Sequence, residues 1–363
     1  MDFGLSEEQQ QLKDSARAFL SGECPTTVVR KVMASEDGYP RELYAEIAKL
    51  GWCGLVVPEE FGGAGLGMLD MAMILEEAGY AAMPGPFLFS SVLAPSALKL
   101  GGSKEINAKW LAPLAEGKVV GTVAVVEAAG SIEAADIGAT ATKAGAGWRI
   151  NGVKMLVPYA NVADFIVVAA NDSGEISLFV VDAKAAGVTT RSLKNLDLTR
   201  RVSSVELKDT PAELLGGENL FARLVDVASI AIAADSLGGT ERALEMAVEY
   251  SKVREQFGKP IGSFQALKHA AAEIVADIEP ARALLWYAAY RADGKCSREA
   301  SMAKARLCDV YSRGTGSAVL MHGGIGFTWE HDMHLWYKRA RFNESYFGSP
   351  GYHRERVAEL GDY

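Results

Sequence analysis

The chain has 363 residues, 49% of them hydrophobic, 23% charged and 9% aromatic, which is enough apolar material for a sizeable core and too much for a disordered tail. Lys plus Arg total 37 against 46 Asp plus Glu, a formal net charge of −9, and this disfavours a nucleic-acid partner because phosphate binding needs concentrated positive charge. The four cysteines, Cys24, Cys53, Cys296 and Cys308, form no C-x-x-C pair, so neither a zinc site nor a disulfide framework is expected.

The N-terminal stretch carries acidic and amide residues where a signal peptide would be basic and then apolar, so export is not expected. No apolar run reaches the roughly 18 residues of a membrane-spanning helix. A cytoplasmic protein without a membrane partner follows. Ser6, with Glu7 and Glu8 behind it, has the composition of a helix start, and Phe19 and Leu20 fall on the stripe that such a helix would bury. Apolar residues three and four apart predict further helices over Glu42 to Leu50 and Met68 to Ala78. Between them, Val56 to Gly67 holds a proline and four glycines and reads as a loop. From about Val119 to Leu215 the texture becomes β: Val119 to Val126, Trp148 to Gly152, Phe165 to Ala169 and Ile176 to Val181 are short, β-branched segments separated by turns. Strands so spaced predict an antiparallel sandwich or barrel. Ala-rich segments over Ile230 to Tyr250, Phe264 to Tyr290 and Glu299 to Met321 are long enough for a helical bundle.

Two segments hold residues suited to cofactor chemistry. Between Tyr250 and Gln265 a helix breaks at Arg254, with Phe257 and Gly258 following and a second helix opening near Gly262. An arginine beside exposed backbone N–H groups can hold a pyrophosphate; an ordinary interhelical turn with a surface arginine accounts for the same residues. In Met321 to Asp332 the glycines permit close backbone approach. His322, His331 and His334 invite a metal, but no second ligand pair accompanies them and none is expected. No strand precedes these glycines, so they fit the G-x-G-x-x-G dinucleotide pattern poorly.

Over nearly its whole length the chain resembles the acyl-CoA dehydrogenases, flavoenzymes that oxidise acyl-CoA thioesters. The resemblance is carried by Val57-Pro58-Glu59-Glu60-Phe61-Gly62-Gly63-Ala64-Gly65, by Arg254-Glu255-Gln256-Phe257-Gly258-Lys259-Pro260-Ile261 with Phe264-Gln265, and by His322-Gly323-Gly324-Ile325-Gly326-Phe327-Thr328-Trp329-Glu330. It implies the α+β acyl-CoA dehydrogenase fold, with an N-terminal all-α domain (1–118), a middle β-domain (119–215) and a C-terminal four-helix bundle (216–363). It also implies FAD, an acyl-CoA substrate, a dimer or a homo- or hetero-tetramer built through the bundles, and an electron-transferring flavoprotein as acceptor. In that family the flavin lies between subunits. By motif position the residues donated to it here would be Arg254, Gln256, Phe257, Ile261, Phe264, Gln265, Gly323 and Gly324, while Leu320 stands where relatives often carry a Gln.

The other half of the family's site is altered. Relatives have Thr-Glu-Pro-x-x-Gly-Ser-Asp where this chain reads Val125-Val126-Glu127-Ala128-Ala129-Gly130-Ser131-Ile132, and the strand beside the flavin ring corresponds to Leu156-Val157-Pro158-Tyr159. Pro158 offers neither a hydroxyl nor an N–H. The α,β-dehydrogenation needs a carboxylate over the α-carbon, but the usual Glu position is Phe347 and the alternative one falls near Ala228. Asp226, Glu344 and Glu330 are the substitutes within reach, Asp226 the best placed of them. The pattern is similar to short chains of heteromeric acyl-CoA dehydrogenases in steroid and cholesterol breakdown, and predicts a complementary subunit that completes the FAD pocket of an unlike partner. A self-sufficient homotetramer using Asp226, or a scaffold of the same fold without flavin, are the alternatives.

Overall fold

The computed structural model describes residues 4–145 and 147–361. Helix α1 (Glu7–Glu23) starts at a capping box: the Ser6 hydroxyl accepts from Gln9 N–H at 3.2 Å and the Gln9 side chain accepts from Ser6 N–H at 3.1 Å. Two of the helix's orphan donors are thereby satisfied. The chain continues through α2 (Thr26–Ala34), α3 (Arg41–Lys49), α4 (Met68–Tyr80), a buried π-helical segment at Leu88–Leu93, α5 (Ala94–Gly101) and α6 (Lys104–Ala115). The expected loop contains one 3₁₀ turn at Glu59–Phe61.

Seven strands follow: β1 (Gly121–Ala124), β2 (Thr140–Ala144), β3 (Gly147–Pro158), β4 (Phe165–Asp172), β5 (Glu175–Asp182), β6 (Val188–Leu193) and β7 (Val202–Leu215). Pairings run β4–β2–β3–β7–β5 and back to β4, so the ladder closes on itself as a barrel does, with β1 added at β4 and β6 at β7. The antiparallel expectation needs one correction: β1 pairs with β4 in parallel, as does the single β2–β4 bridge at Thr140 and Asn171. Helix-free texture cannot exclude that, because the chain reaches β4 from β1 through the β2–β3 hairpin. The strand expected over Val119 to Val126 is shorter because its ends have other partners. The carbonyls of Val120 and Val126 accept from Asp164 and Met155, and that of Val125 accepts from the Lys154 ammonium. Ile150, Ile166, Val168, Phe179, Val181, Val205 and their neighbours form the interior.

The C-terminal part consists of α7 (Leu220–Val253), a two-strand hairpin of β8 (Glu255–Gln256) and β9 (Lys259–Pro260), α8 (Gln265–Tyr290), α9 (Ser297–His322), α10 (Met333–Ser345) and α11 (Pro350–Glu359). No helix among the described residues is long and apolar enough to cross a membrane.

Contacts group the chain into two compact units, one of Met1–Lys31, Ala72–Met83 and Ser229–Tyr363 and the other of Val32–Met71 and Pro84–Ala228. In the first, α4 and α7 touch backbone to backbone: a Cβ at Gly79 would lie 2.0 Å from the Asp235 carbonyl, and one at Gly238 1.7 Å from that of Glu76. Glycine is the residue that permits such an approach. The contact brings charges into the interior. Glu76 pairs with Lys13 and Arg282, and Glu77 with Arg17. Fully buried Arg339 faces Asp235 at 3.4 Å and donates to the Ala82 and Met83 carbonyls at 3.1 and 2.8 Å. Asn343 completes Asp235 at 2.7 Å.

Candidate functional site

The hairpin after α7 is a two-residue turn in which Phe257 and Gly258 both have positive φ, 54° and 76°. Such turns suit Asn-Gly or Gly-Gly, and a phenylalanine in that conformation is strained. It is also 92% exposed. A large apolar side chain held in strain on the surface has no role in this chain's own core, and such outliers concentrate at binding sites. Arg254 is exposed beside it, and among the described residues no group pairs with its guanidinium. Gln256 donates only to the neighbouring Glu255 carbonyl, and Gln265 to His269 at 3.0 Å. Ile261 and Phe264 are half-buried below the hairpin, with Phe264 edge-on to Phe257 at 6.0 Å and under the Lys259 ammonium at 4.5 Å. The second helix opens at Gln265, two residues beyond the expected Gly262-Ser263, which instead lie in a 3₁₀ turn over Ile261–Ser263.

The glycine segment forms a 3₁₀ turn over Gly323–Phe327 at the end of α9. Gly323 needs its φ of 66°, whereas Gly324 does not, and a Cβ on either would meet nothing within 4 Å. The chain's own packing therefore does not explain Gly324, but a ligand or another chain lying on the backbone would. Leu320 is 81% exposed on the preceding turn. The structure brings the two motifs to one end of the helical unit, since the Tyr250 ring, one turn before Arg254, stacks on His322, the residue before Gly323, at 4.8 Å. A guanidinium, exposed backbone and an exposed aromatic ring together suit a phosphorylated ligand with a flat ring.

The histidines are structural. His322 donates from Nδ1 to the Ala318 carbonyl at 2.7 Å, and His331 accepts at Nδ1 from Met333 N–H at 3.1 Å. Burial holds both below the ordinary histidine value, and lowers His334 to about 4 with help from Lys338 and Arg30. Among the described residues no group of three His, Cys, Asp or Glu side chains is placed to hold a metal.

At the positions where a base is sought, Phe347 is 1% exposed and Ala228 is fully buried. Phe347 has φ 55° and Gly348 φ 94°, and this turn is pinned from two sides. His353 donates to the Phe347 carbonyl at 2.8 Å, and buried Lys304 to the carbonyls of Gly348 and Asn343 at 3.0 and 2.7 Å. Asp226 is buried on α7. Glu344 is held by Ser312 at 2.9 Å and Arg341 at 2.7 Å. Glu330 is exposed, its carboxyl kept below the usual range by the Thr328 hydroxyl. In the β-unit, Glu127 is engaged by buried Lys154 at 2.6 Å and by the N–H groups of Gly138 and Ala139. Leu156 lies at an irregularity of β3 with φ 52°, and the Pro158 carbonyl accepts from Thr122. Neither the Lys154–Glu127 pair nor the His322–His331 contact at 4.4 Å is legible in the sequence, since neither has a regular spacing.

The pinned turn carries a pH dependence. Burial, and then the Lys304 charge, lower the His353 pKa to about 3. The unfolded chain binds this proton near the ordinary value of 6.5, so stability falls as pH drops from 6.5 towards 3. A loss of about 1.6 kcal/mol is expected between pH 6.5 and 5. Denaturant titration should show it in the native chain and a shallower slope in His353→Gln.

Sequence models of the acyl-CoA dehydrogenase N-terminal, middle and C-terminal domains match residues 6–118, 122–209 and 216–360. The chain is 32% identical over 345 residues to the acyl-CoA dehydrogenase IpdE2 of Mycobacterium tuberculosis, covering 95% of this chain and 94% of that one. Its fold is similar to a chain of the ChsE4-ChsE5 complex from Mycobacterium tuberculosis, with TM-score 0.93, 29% identity and 100% of each chain covered. It is similar also to a variant of the Tcur3481-Tcur3483 steroid acyl-CoA dehydrogenase, with TM-score 0.92, 30% identity and 98% of each chain covered. With the fold, the three domain matches and these relatives in agreement, the chain belongs to the acyl-CoA dehydrogenase family, flavoprotein oxidoreductases that act on the CH–CH bond of acyl-CoA thioesters.

Proposed function

We propose that this chain is the complementary subunit of a heteromeric acyl-CoA dehydrogenase: it contributes Arg254, Gln256, Phe257, Ile261, Phe264, Gln265, Gly323 and Gly324 to an FAD pocket and leaves proton abstraction to an unlike partner chain. Its domains are then 1–118, 119–215 and 216–363, and it works in the cytoplasm with an electron-transferring flavoprotein as acceptor. FAD, when bound, supplies the hydride acceptor for the oxidation. Arg254 would neutralise the pyrophosphate, Phe257 would cover an apolar face of the group and the Gly323-Gly324 backbone would leave room for its adenine half. The contrast between hydrocarbon at Phe347 and Ala228 and a free guanidinium at Arg254 carries this reading, because a site without a positioned carboxylate cannot abstract the α-proton. The likeness to a steroid acyl-CoA dehydrogenase and to a two-component complex supports a steroid-CoA thioester as substrate and an unlike chain as partner.

A buried carboxylate at Asp226, two residues before Ala228, favours one rival, a self-sufficient homotetramer. Co-expression with a second acyl-CoA dehydrogenase chain separates the two. One FAD per two chains supports the shared pocket; one FAD per chain in a pure preparation of this chain overturns it.

A further inference from the structure

The Arg254–Phe257 hairpin and the Gly323–Gly324 turn lie on different helices, about seventy positions apart in sequence, and a ligand spanning both needs their separation fixed. We infer that the ring stack of Tyr250, His322 and His331 is the positioning element that sets this spacing for the ADP half of the flavin nucleotide. The inference rests on the flavin-pocket reading above. Tyr250 lies at the end of α7, and its backbone carbonyl accepts from Arg254 N–H at 2.9 Å. Its ring stacks on His322 at 4.8 Å, and His331 closes on both rings, at 4.4 Å from His322 and 6.3 Å edge-on to Tyr250.

The imidazoles are themselves fixed. The Ala318 carbonyl holds the Nδ1 proton of His322, and Met333 N–H occupies Nδ1 of His331. Arg30 anchors the segment that carries His331, donating to the Trp329 carbonyl at 2.8 Å and to Asp332 at 2.6 Å. His322 is 3% exposed. Its ring contributes shape and stacking here, kept in orientation by the Nδ1 bond to the Ala318 carbonyl. A rotation at Tyr250 would move Arg254, and a rotation at His322 would move Gly323, so the stack couples the two. Neither ring needs to touch the ligand.

The test uses the assembly with its partner chain, stripped of flavin and titrated separately with FAD and with ADP. Tyr250→Ala should weaken FAD and ADP alike by about tenfold, the scale of a lost aromatic stack. Tyr250→Phe, which keeps the ring, should stay within about twofold of the native protein by the same measure. Tyr250→Leu, which keeps the bulk without the ring, replaces the alanine variant if that fails to fold. ADP affinity unchanged in Tyr250→Ala or Tyr250→Leu overturns the inference alone, as does Tyr250→Phe binding as weakly as either. A native assembly that binds neither FAD nor ADP defeats the flavin-pocket reading and the inference with it.

Discussion

Asp235→Ala is expected to lower the free energy of unfolding by about 3–5 kcal/mol, because it removes one member of a buried ion pair. Arg339 is fully buried, and its charge faces Asp235 at 3.4 Å across α7 and α10. The two carbonyls it also binds, of Ala82 and Met83, are dipoles and cannot replace a carboxylate. Asn343 loses an acceptor at the same time. Removing both charges costs less than removing one: Asp235→Leu combined with Arg339→Met should recover more than half of the loss, since apolar residues of similar volume often replace buried pairs with little penalty. Chemical denaturation measures both, and a loss below about 1 kcal/mol in Asp235→Ala would mean that water or a shifted partner takes up the charge.

Arg254→Ala is expected to act in the opposite way, leaving stability almost unchanged and reducing FAD affinity. The side chain is exposed and has no partner among the described residues, so its loss should change stability by about 0.5 kcal/mol at most. A charged hydrogen bond to pyrophosphate is worth about 1.5–3 kcal/mol, or roughly 10–100-fold in affinity. Arg254→Lys should fall between, keeping the charge and losing the two-pronged geometry. Flavin fluorescence titration with parallel melting curves reads both. Unchanged flavin affinity in Arg254→Ala would remove the hairpin from the pocket.

Local signals in the sequence were legible where chemistry is local. Ser6 with acidic residues behind it marks the start of α1, although the reciprocal bond from Ser6 N–H to the Gln9 side chain becomes visible only in the folded backbone. The three-and-four spacing locates α3 and α4 closely, and the β-branched runs locate β4 and β5. The parallel β1–β4 pairing was not legible, because it depends on which strands the intervening hairpin leaves adjacent. Nor was the Arg339–Asp235 pair, whose members are 104 positions apart; burial of charge is a property of helix packing and not of either residue. At the candidate site the residue types at Arg254, Gly323 and Gly324 carry a readable preference, whereas the strain at Phe257 and its full exposure do not. Phe347 shows the converse. Its lack of a carboxylate is plain in the sequence, but the lock on its turn by His353 and Lys304 is not.

The proposed division of labour between this chain and a partner is tested by turnover of the purified chain alone. With FAD added, acyl-CoA and steroid-CoA thioesters supplied and a dye as electron acceptor, no α,β-desaturation is expected until a second acyl-CoA dehydrogenase chain is present. Turnover by the chain alone that Asp226→Asn abolishes would contradict it.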